Sequence, residues 1–306
     1  MTTIRIATRQ SQLALWQAEW VATMLRQHHD VDIELVKITT KGDAILDQSL
    51  SKIGGKGLFV KELEKALLEG AADIAVHSLK DMPAELPEDL ELATYCKRED
   101  FRDVLISRVY TNLSNMPLGS RIGTSSVRRT AQLKLFRPDL NIMPLRGNID
   151  SRIAKVLDLE SPYDAIILAG AGVHRLDMSH LIKQYLPVNT FLPAPGQGIV
   201  AIEIHKDNQV IKNLLQSIAC RTTTLCAYAE RAFNRTMGGS CSVPIAALAE
   251  LKNDEQMIIH GQIASVDGQQ QITASVEGHT ILASDLGERL AEKILAAGGQ
   301  HIISSL

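Results

Sequence analysis

No apolar stretch in these 306 residues approaches the roughly 18 needed to span a bilayer, and 45% hydrophobic with 22% charged residues is the composition of a globular protein. A membrane protein is excluded. Cysteine is sparse: Cys96, Cys220, Cys226 and Cys241 form no Cys-x-x-Cys pair and no His-flanked zinc spacing. No metal site is therefore expected, and the thiols should stay free in a reducing compartment. Residues 1–7 lead straight into a strand pattern, with no basic segment followed by an apolar core and a cleavage site, which points to a cytoplasmic protein. Excess positive charge is missing too. A formal net charge of −3 argues against a general polyanion binder, and neither a helix-turn-helix pattern nor a basic stripe marks a nucleic-acid partner. A local arginine cluster that receives an acidic small molecule stays open.

What is present suggests two or three domains, since the chain is too long for one ordinary core. Ile4-Arg5-Ile6-Ala7 alternates like a strand, Thr8-Arg9-Gln10-Ser11 turns, and an amphipathic helix carrying Leu13, Leu15, Trp16 and Trp20 follows. Ser11 is placed to cap that helix, with Arg9 beside its exposed N–H groups. Residues 31–40 supply a second strand, so the chain opens as βαβ. Gly54-Gly55-Lys56-Gly57 is not a Walker A loop, because Lys56 is followed by glycine and not by Ser or Thr. A lid with lysines aimed at a ligand and a solvated loop both fit it. Residues 59–69 form a helix that Gly70 ends. The stretch 72–83 then brings a buried strand, Asp73-Ile74-Ala75-Val76, to Lys80 and Asp81 just past its end and before Pro83. In α/β folds such strand ends border the ligand crevice. Asp81 is a catalytic candidate there, although a solvated loop acid or a helix cap looks the same in sequence. His77 is read as satisfying a backbone group.

A charged crossing at 97–103 precedes a second α/β unit whose order of parts echoes the first. Its strand at 104–107 is followed by Arg121-Ile122-Gly123-Thr124-Ser125-Ser126-Val127-Arg128-Arg129, where Ser125 or Ser126 starts a helix. Arg128 and Arg129 add charge to that helix's positive end and need an anion, either a ligand or a local carboxylate. A strand at 142–145 ends in Arg146-Gly147-Asn148-Ile149-Asp150-Ser151-Arg152, and the stretch 163–169, an acid entering a buried strand, is followed by Gly170, Gly172, His174 and Arg175. The two units read as paired lobes around one cleft. Residues 199–204 form a strand that returns to the first lobe, residues 222–237 a helix, and Gly238-Gly239-Ser240-Cys241 a turn exposing a thiol. The remainder, 245–306, has strand patterns and a final helix at 286–297, as in a small α+β domain.

Val76-His77-Ser78-Leu79-Lys80-Asp81-Met82-Pro83 and the arginine loops, in order with Ala7-Thr8-Arg9-Gln10-Ser11, Leu145-Arg146-Gly147-Asn148, Pro195-Gly196-Gln197-Gly198 and Cys241-Ser242-Val243-Pro244, resemble the porphobilinogen deaminase (hydroxymethylbilane synthase) family across nearly the whole chain. That resemblance implies an α/β fold of two lobes like type 2 periplasmic binding proteins around a cleft, plus a small C-terminal α+β domain. Domain 1 would comprise 1–97 and 198–217, domain 2 103–192, and domain 3 220–306. It also implies a transferase that joins four porphobilinogen molecules head to tail, with loss of ammonia, into 1-hydroxymethylbilane. The primer would be a dipyrromethane cofactor linked by a thioether to Cys241, in a monomer with no nucleic-acid or membrane partner.

The residue chemistry agrees with that expectation. Porphobilinogen carries an acetate and a propionate, so a growing chain accumulates carboxylates that cations must neutralise. Ser78, Lys80, Thr124, Ser125, Ser126, Arg128, Arg129, Arg146 and Gly147 are the expected cofactor contacts; Arg9, Ser11, Lys56, Arg152, Arg175 and Gln197 are the expected substrate contacts. Loss of ammonia leaves positive charge on a pyrrole ring, which calls for one carboxylate near the ring nitrogens. Asp81 takes that role. A noncatalytic two-lobed binding protein for a small anion is the rival reading, and it has no use for Asp81 and Cys241 together. Ser240 stands where the family's second glycine is expected, and attachment at Cys241 should survive it. The intact protein should exceed its chain mass by two pyrrole units, and a Cys241→Ser protein should lose that increment in mass spectrometry.

Overall fold

The computed structural model describes residues 2–40, 60–239 and 242–306. Strand β1 (Thr2–Arg9) buries Ile4, Ile6 and Ala7, and helix α1 (Gln12–His28) starts at Ser11, whose hydroxyl accepts the Ala14 N–H. The face of α1 that enters the core is Ala14, Ala18, Val21, Ala22 and Leu25. Leu13, Leu15, Trp16 and Trp20 lie half-buried beside it, and the two tryptophans stack with centroids 6.0 Å apart. Small residues on the inner face let the helix lie close to the sheet, which displaces the bulky residues to its flank. Strand β2 (Val31–Ile38) pairs in parallel with β1. Helix α2 (Lys61–Leu68) turns Leu63, Glu64, Ala66 and Leu67 inward. It stops at Gly70, whose φ of +67° is open to glycine. Strand β3 (Ile74–Ser78), a short turn at 79–81 and β4 (Leu90–Tyr95) follow.

The next unit runs through β5 (Asp103–Ile106), β6 (Arg121–Gly123), α3 (Val127–Phe136), β7 (Asn141–Met143), α4 (Ile149–Leu157), β8 (Ala165–Ala169), α5 (Gly170–Arg175) and β9 (Ile182–Tyr185). Ser126 is the residue that caps α3, accepting the Arg129 N–H. Strand β10 (Val200–His205) then pairs antiparallel with both β3 and β4. The first sheet is therefore ordered β2-β1-β3-β10-β4 and the second β7-β6-β8-β5-β9. The two orders match position for position. In each, three parallel strands adjoin one antiparallel strand, and the chain supplies that strand just after a crossing. The crossings separate two compact units, 1–99 with 198–225, and 100–197 with 226–306.

Helices α6 (Gln209–Leu215) and α7 (Arg221–Thr236) lead to a third, antiparallel sheet of β11 (Ile245–Leu251), β12 (Gln256–Ala264) and β13 (Gln271–His279). Helix α8 (Ala283–Ile294) covers it with Leu286, Leu290 and Ile294. The protein is thus a mixed α/β chain of two sheet-containing lobes and a small C-terminal α+β domain, as the sequence led us to expect. Among the described residues no helix is long and apolar enough to cross a membrane.

Gly287 lets α8 touch α7. A Cβ built there meets the Ala229 carbonyl oxygen and lies 2.9 Å from the Phe233 nitrogen, both backbone atoms. Helix propensity alone favours alanine over glycine by about 1 kcal/mol, whereas forcing two packed backbones apart costs about 1–3 kcal/mol. The packing term wins, so Gly287→Ala should lower the urea midpoint of unfolding.

Candidate active site

In the first lobe β1 and β3 are parallel neighbours, with Ala7 level with Ala75, so Arg9 and Ser78 emerge at the same carboxyl edge of the sheet. Ser11 follows as the α1 cap. The Ser78 hydroxyl accepts a 3.0 Å bond from Nε2 of Gln17, a buried residue of α1. Sequence reading missed Gln17; its signal is a polar residue three positions after Ala14 and four before Val21, on the buried stripe. Past Ser78, the Leu79 N–H donates to the Ile199 carbonyl at 3.0 Å and Met82 closes a turn back to Leu79 at 3.1 Å. Leu79 and Met82 are buried. The backbone between them is held at both ends, with Lys80 half-buried and Asp81 exposed. Among the described residues His77 is bonded to a side chain and not to the backbone group expected of it: its Nε2 lies 3.1 Å from Oε2 of Glu203.

The second lobe carries its candidates at the corresponding edge, after β6, β7 and β8. Its centre is Asp103, wholly buried at the start of β5. One carboxylate oxygen accepts from Nη1 of Arg128 at 2.7 Å. The other accepts from Nε and Nη2 of Arg129 at 3.1 and 2.8 Å and from Nε2 of Gln197 at 3.0 Å. Arg128 also donates to the Leu192 carbonyl at 2.8 Å, and Arg129 to that of Ile167 at 3.1 Å. Burial opposes ionisation of Asp103, but Arg128 and then Arg129 overcome it and hold the carboxyl well below its ordinary range. Burial likewise lowers the Arg128 pKa against the pull of Asp103. Both arginines therefore have an internal carboxylate. Sequence reading did not single out Asp103, which lies 25 positions from Arg128 in a run of mixed charges.

Around this core the loops after β6 and β7 are stitched together. The Ser125 hydroxyl donates to the Leu145 carbonyl and accepts its N–H, both at 3.0 Å, while the Thr124 hydroxyl accepts the Ser126 N–H at 3.2 Å. Gly147 has φ +113°, and a Cβ there would run into the Ser151 hydroxyl. Nε of Arg152 donates to the Gly147 carbonyl at 2.6 Å, because residues 149–157 continue as α4 and place Arg152 one turn beyond the loop. The Arg146 carbonyl accepts from Lys155; its guanidinium is half-buried and has no partner among the described residues. Arg175 is buried at the end of α5. Lys56 and Cys241 lie outside the described residues. Among the described residues no group of three or more metal-ligating side chains comes together.

Chemically, the second lobe offers hydroxyls and guanidiniums suited to carboxylates, and the first an exposed carboxylate on an anchored turn. Residues 4–213 match the family model described as "Porphobilinogen deaminase, dipyromethane cofactor binding domain". This chain belongs to the porphobilinogen deaminase family. Residues 224–296 match the "Porphobilinogen deaminase, C-terminal domain". A protein named porphobilinogen deaminase from Xanthomonas campestris pv. campestris (strain B100) is 48% identical over 307 residues, covering 100% of each chain. Similar solved structures include the methionine binding protein MetQ, with 14% identity and TM-score 0.42 over 71% of this chain and 89% of that one. Immunogenic lipoprotein A from Vibrio vulnificus has 14% identity and TM-score 0.44, over 70% and 94%.

Replacing Asp103 by alanine leaves two buried guanidiniums of this porphobilinogen deaminase lobe without an anion, a change that costs about 3–5 kcal/mol. A carboxyl with a depressed folded pKa contributes stability above its unfolded value, about 3.9, and loses it as the pH falls. Urea unfolding should therefore show Asp103→Ala strongly destabilised at neutral pH, and the gap to the unsubstituted protein should narrow in acid.

Proposed function

We propose that the chain is a hydroxymethylbilane synthase, a deaminating transferase that joins four porphobilinogen molecules head to tail with loss of ammonia and yields 1-hydroxymethylbilane. The observation that carries this is the family membership over the full length, together with two guanidiniums set against one carboxylate in the second lobe. That arrangement leaves one positive charge in surplus, and the Arg146 guanidinium of the same lobe has no partner among the described residues. A surplus of this sign fits the carboxylates of a dipyrromethane group, and glycine at 147 leaves the backbone bare at the same loop. Cys241 would carry the group through a thioether, with Thr124, Ser125, Ser126, Arg128, Arg129, Arg146 and Gly147 and, from the first lobe, Ser78 and Lys80 holding its carboxylates. When bound, it supplies the primer ring from which the chain of pyrroles is extended.

Arg9, Ser11, Lys56, Arg152 and Arg175 take the acetate and propionate of incoming substrate. Gln197 contributes through Asp103, to which its amide is bonded. The Asp81 carboxylate accepts pyrrole N–H bonds, steadies the positive charge that develops as ammonia leaves, and carries the proton at its oxygen. It suits that work because the turn at 79–81 is fixed by backbone bonds while the carboxylate stays exposed. We propose domains 1–97 with 198–217, 103–192 and 220–306, in a monomeric cytoplasmic enzyme. Among the described residues Cys96, Cys220 and Cys226 are in no disulfide, in keeping with a reducing compartment, and the net charge of −3 is in keeping with no nucleic-acid partner.

Loss of general acid–base catalysis by one group is worth roughly 10²–10⁴-fold. Asp81→Ala and Asp81→Glu should both reduce turnover of porphobilinogen by at least the lower figure. Near-normal turnover in either would overturn the assignment.

A further inference from the structure

Beneath the turn that carries Asp81, the first lobe buries three titratable groups that the chemistry above does not use. His77 on β3 and Glu203 on β10 lie diagonally across neighbouring antiparallel strands, since Ala201 is level with His77 and Glu203 with Ala75. Their side chains meet at 3.1 Å. Glu64 comes down from α2 onto the same face, and relative exposures of 6%, 0% and 8% for His77, Glu203 and Glu64 put all three out of water. Oε1 of Glu64 and Oε1 of Glu203 are both buried without a hydrogen-bond partner among the described residues. An ionised carboxylate only accepts, and two donorless acceptors in an apolar pocket are expensive. A single proton between the carboxyl groups removes the problem.

We propose that Glu64 holds that proton against Glu203, and that the cluster of Glu64, Glu203 and His77 is the buried support that holds the end of β3, with Ser78, Lys80 and Asp81, in its working position. Glu64 donates as the neutral acid, and Glu203, which faces His77 through Oε2, offers its other oxygen. Burial first, and then the charge of Glu203, push the Glu64 carboxyl above its usual range, against a smaller pull from His77 on β3 and Lys61 on its own helix. The other strands under α2 present Ala7 from β1 and Leu90 from β4. Loss of the proton adds a negative charge among Leu63, Leu67 and Ala75, all of them buried, and drives α2 away from β3. The positioning half of this proposal rests on Asp81 being the working carboxylate; the shared proton does not.

For a carboxyl whose folded pKa is raised, the stabilising contribution is complete below the unfolded value and declines as the pH rises through the folded one. Glu64→Gln keeps a donor toward Glu203 and removes the titration. With the holoenzyme, infrared spectra at neutral pH should contain a protonated-carboxyl band that Glu64→Gln lacks. The melting temperature of that variant relative to the unsubstituted enzyme should climb as the pH rises above the ordinary carboxylate range, and its turnover should hold further into alkali. Absence of the band, or melting curves that run parallel across pH, overturns the shared proton. Glu203→Gln should lower kcat roughly tenfold with little change in KM, and an unchanged kcat overturns the positioning role while leaving the separate test of Asp81 intact. If Glu203→Gln does not fold, the alkaline limb of kcat in Glu64→Gln decides the same point: extended, it supports the role; unmoved, it overturns it.

Discussion

A single buried carboxylate, Asp103, governs what the second lobe can do. It opens the antiparallel strand β5 and takes bonds from two arginines of α3 and from Gln197, the last residue of the segment before the chain leaves the unit. Buried ion pairs add little net stability over apolar packing, yet breaking one is costly because it strands a charge. The network is better understood as a device for location. It pins two guanidiniums whose combined charge exceeds that of the anion holding them, and so it places a positive surplus where β6, β7 and β8 end.

The first lobe answers with a related arrangement of different sign. Its antiparallel strand, β10, occupies the position that β5 holds in the second sheet, and it too carries a wholly buried carboxylate, Glu203. Where Asp103 meets two arginines, Glu203 meets one histidine and a second carboxyl group from the covering helix. One lobe holds two guanidiniums around its buried acid, and the other carries an exposed carboxylate, Asp81, on the turn after β3.

Much of this was legible in the chain. Ser11 and the pair Ser125 and Ser126 announced their helices by the ordinary capping chemistry, Gly70 stopped α2, and the strand at 199–204 was readable as a return to the first sheet. The short apolar runs ending in Lys80-Asp81, Arg128-Arg129 and Arg146-Gly147 marked the strand ends where ligands bind in α/β folds. Less visible was the inner face of α1, because alanines carry little apolar weight in a pattern dominated by Leu15, Trp16 and Trp20, though they allow the closest approach to the sheet. The helix at 149–157 was hidden beneath the basic residues at its start, and the short strand β9 carries no strong alternation.

The sequence by itself determined the family, the α/β class and the residue types at each strand end, because those depend on local pattern and on motifs that are contiguous in the chain. Only the tertiary structure decided partnership. That Asp103 rather than a ligand holds Arg128 and Arg129 inside the lobe, that Gln17 reaches Ser78, and that His77 faces Glu203 all join positions separated by 25 to 126 residues. The energy of a charge is set by whichever groups the fold brings within a few ångströms of it and by how much water it excludes there. Neither quantity exists until the strands have paired.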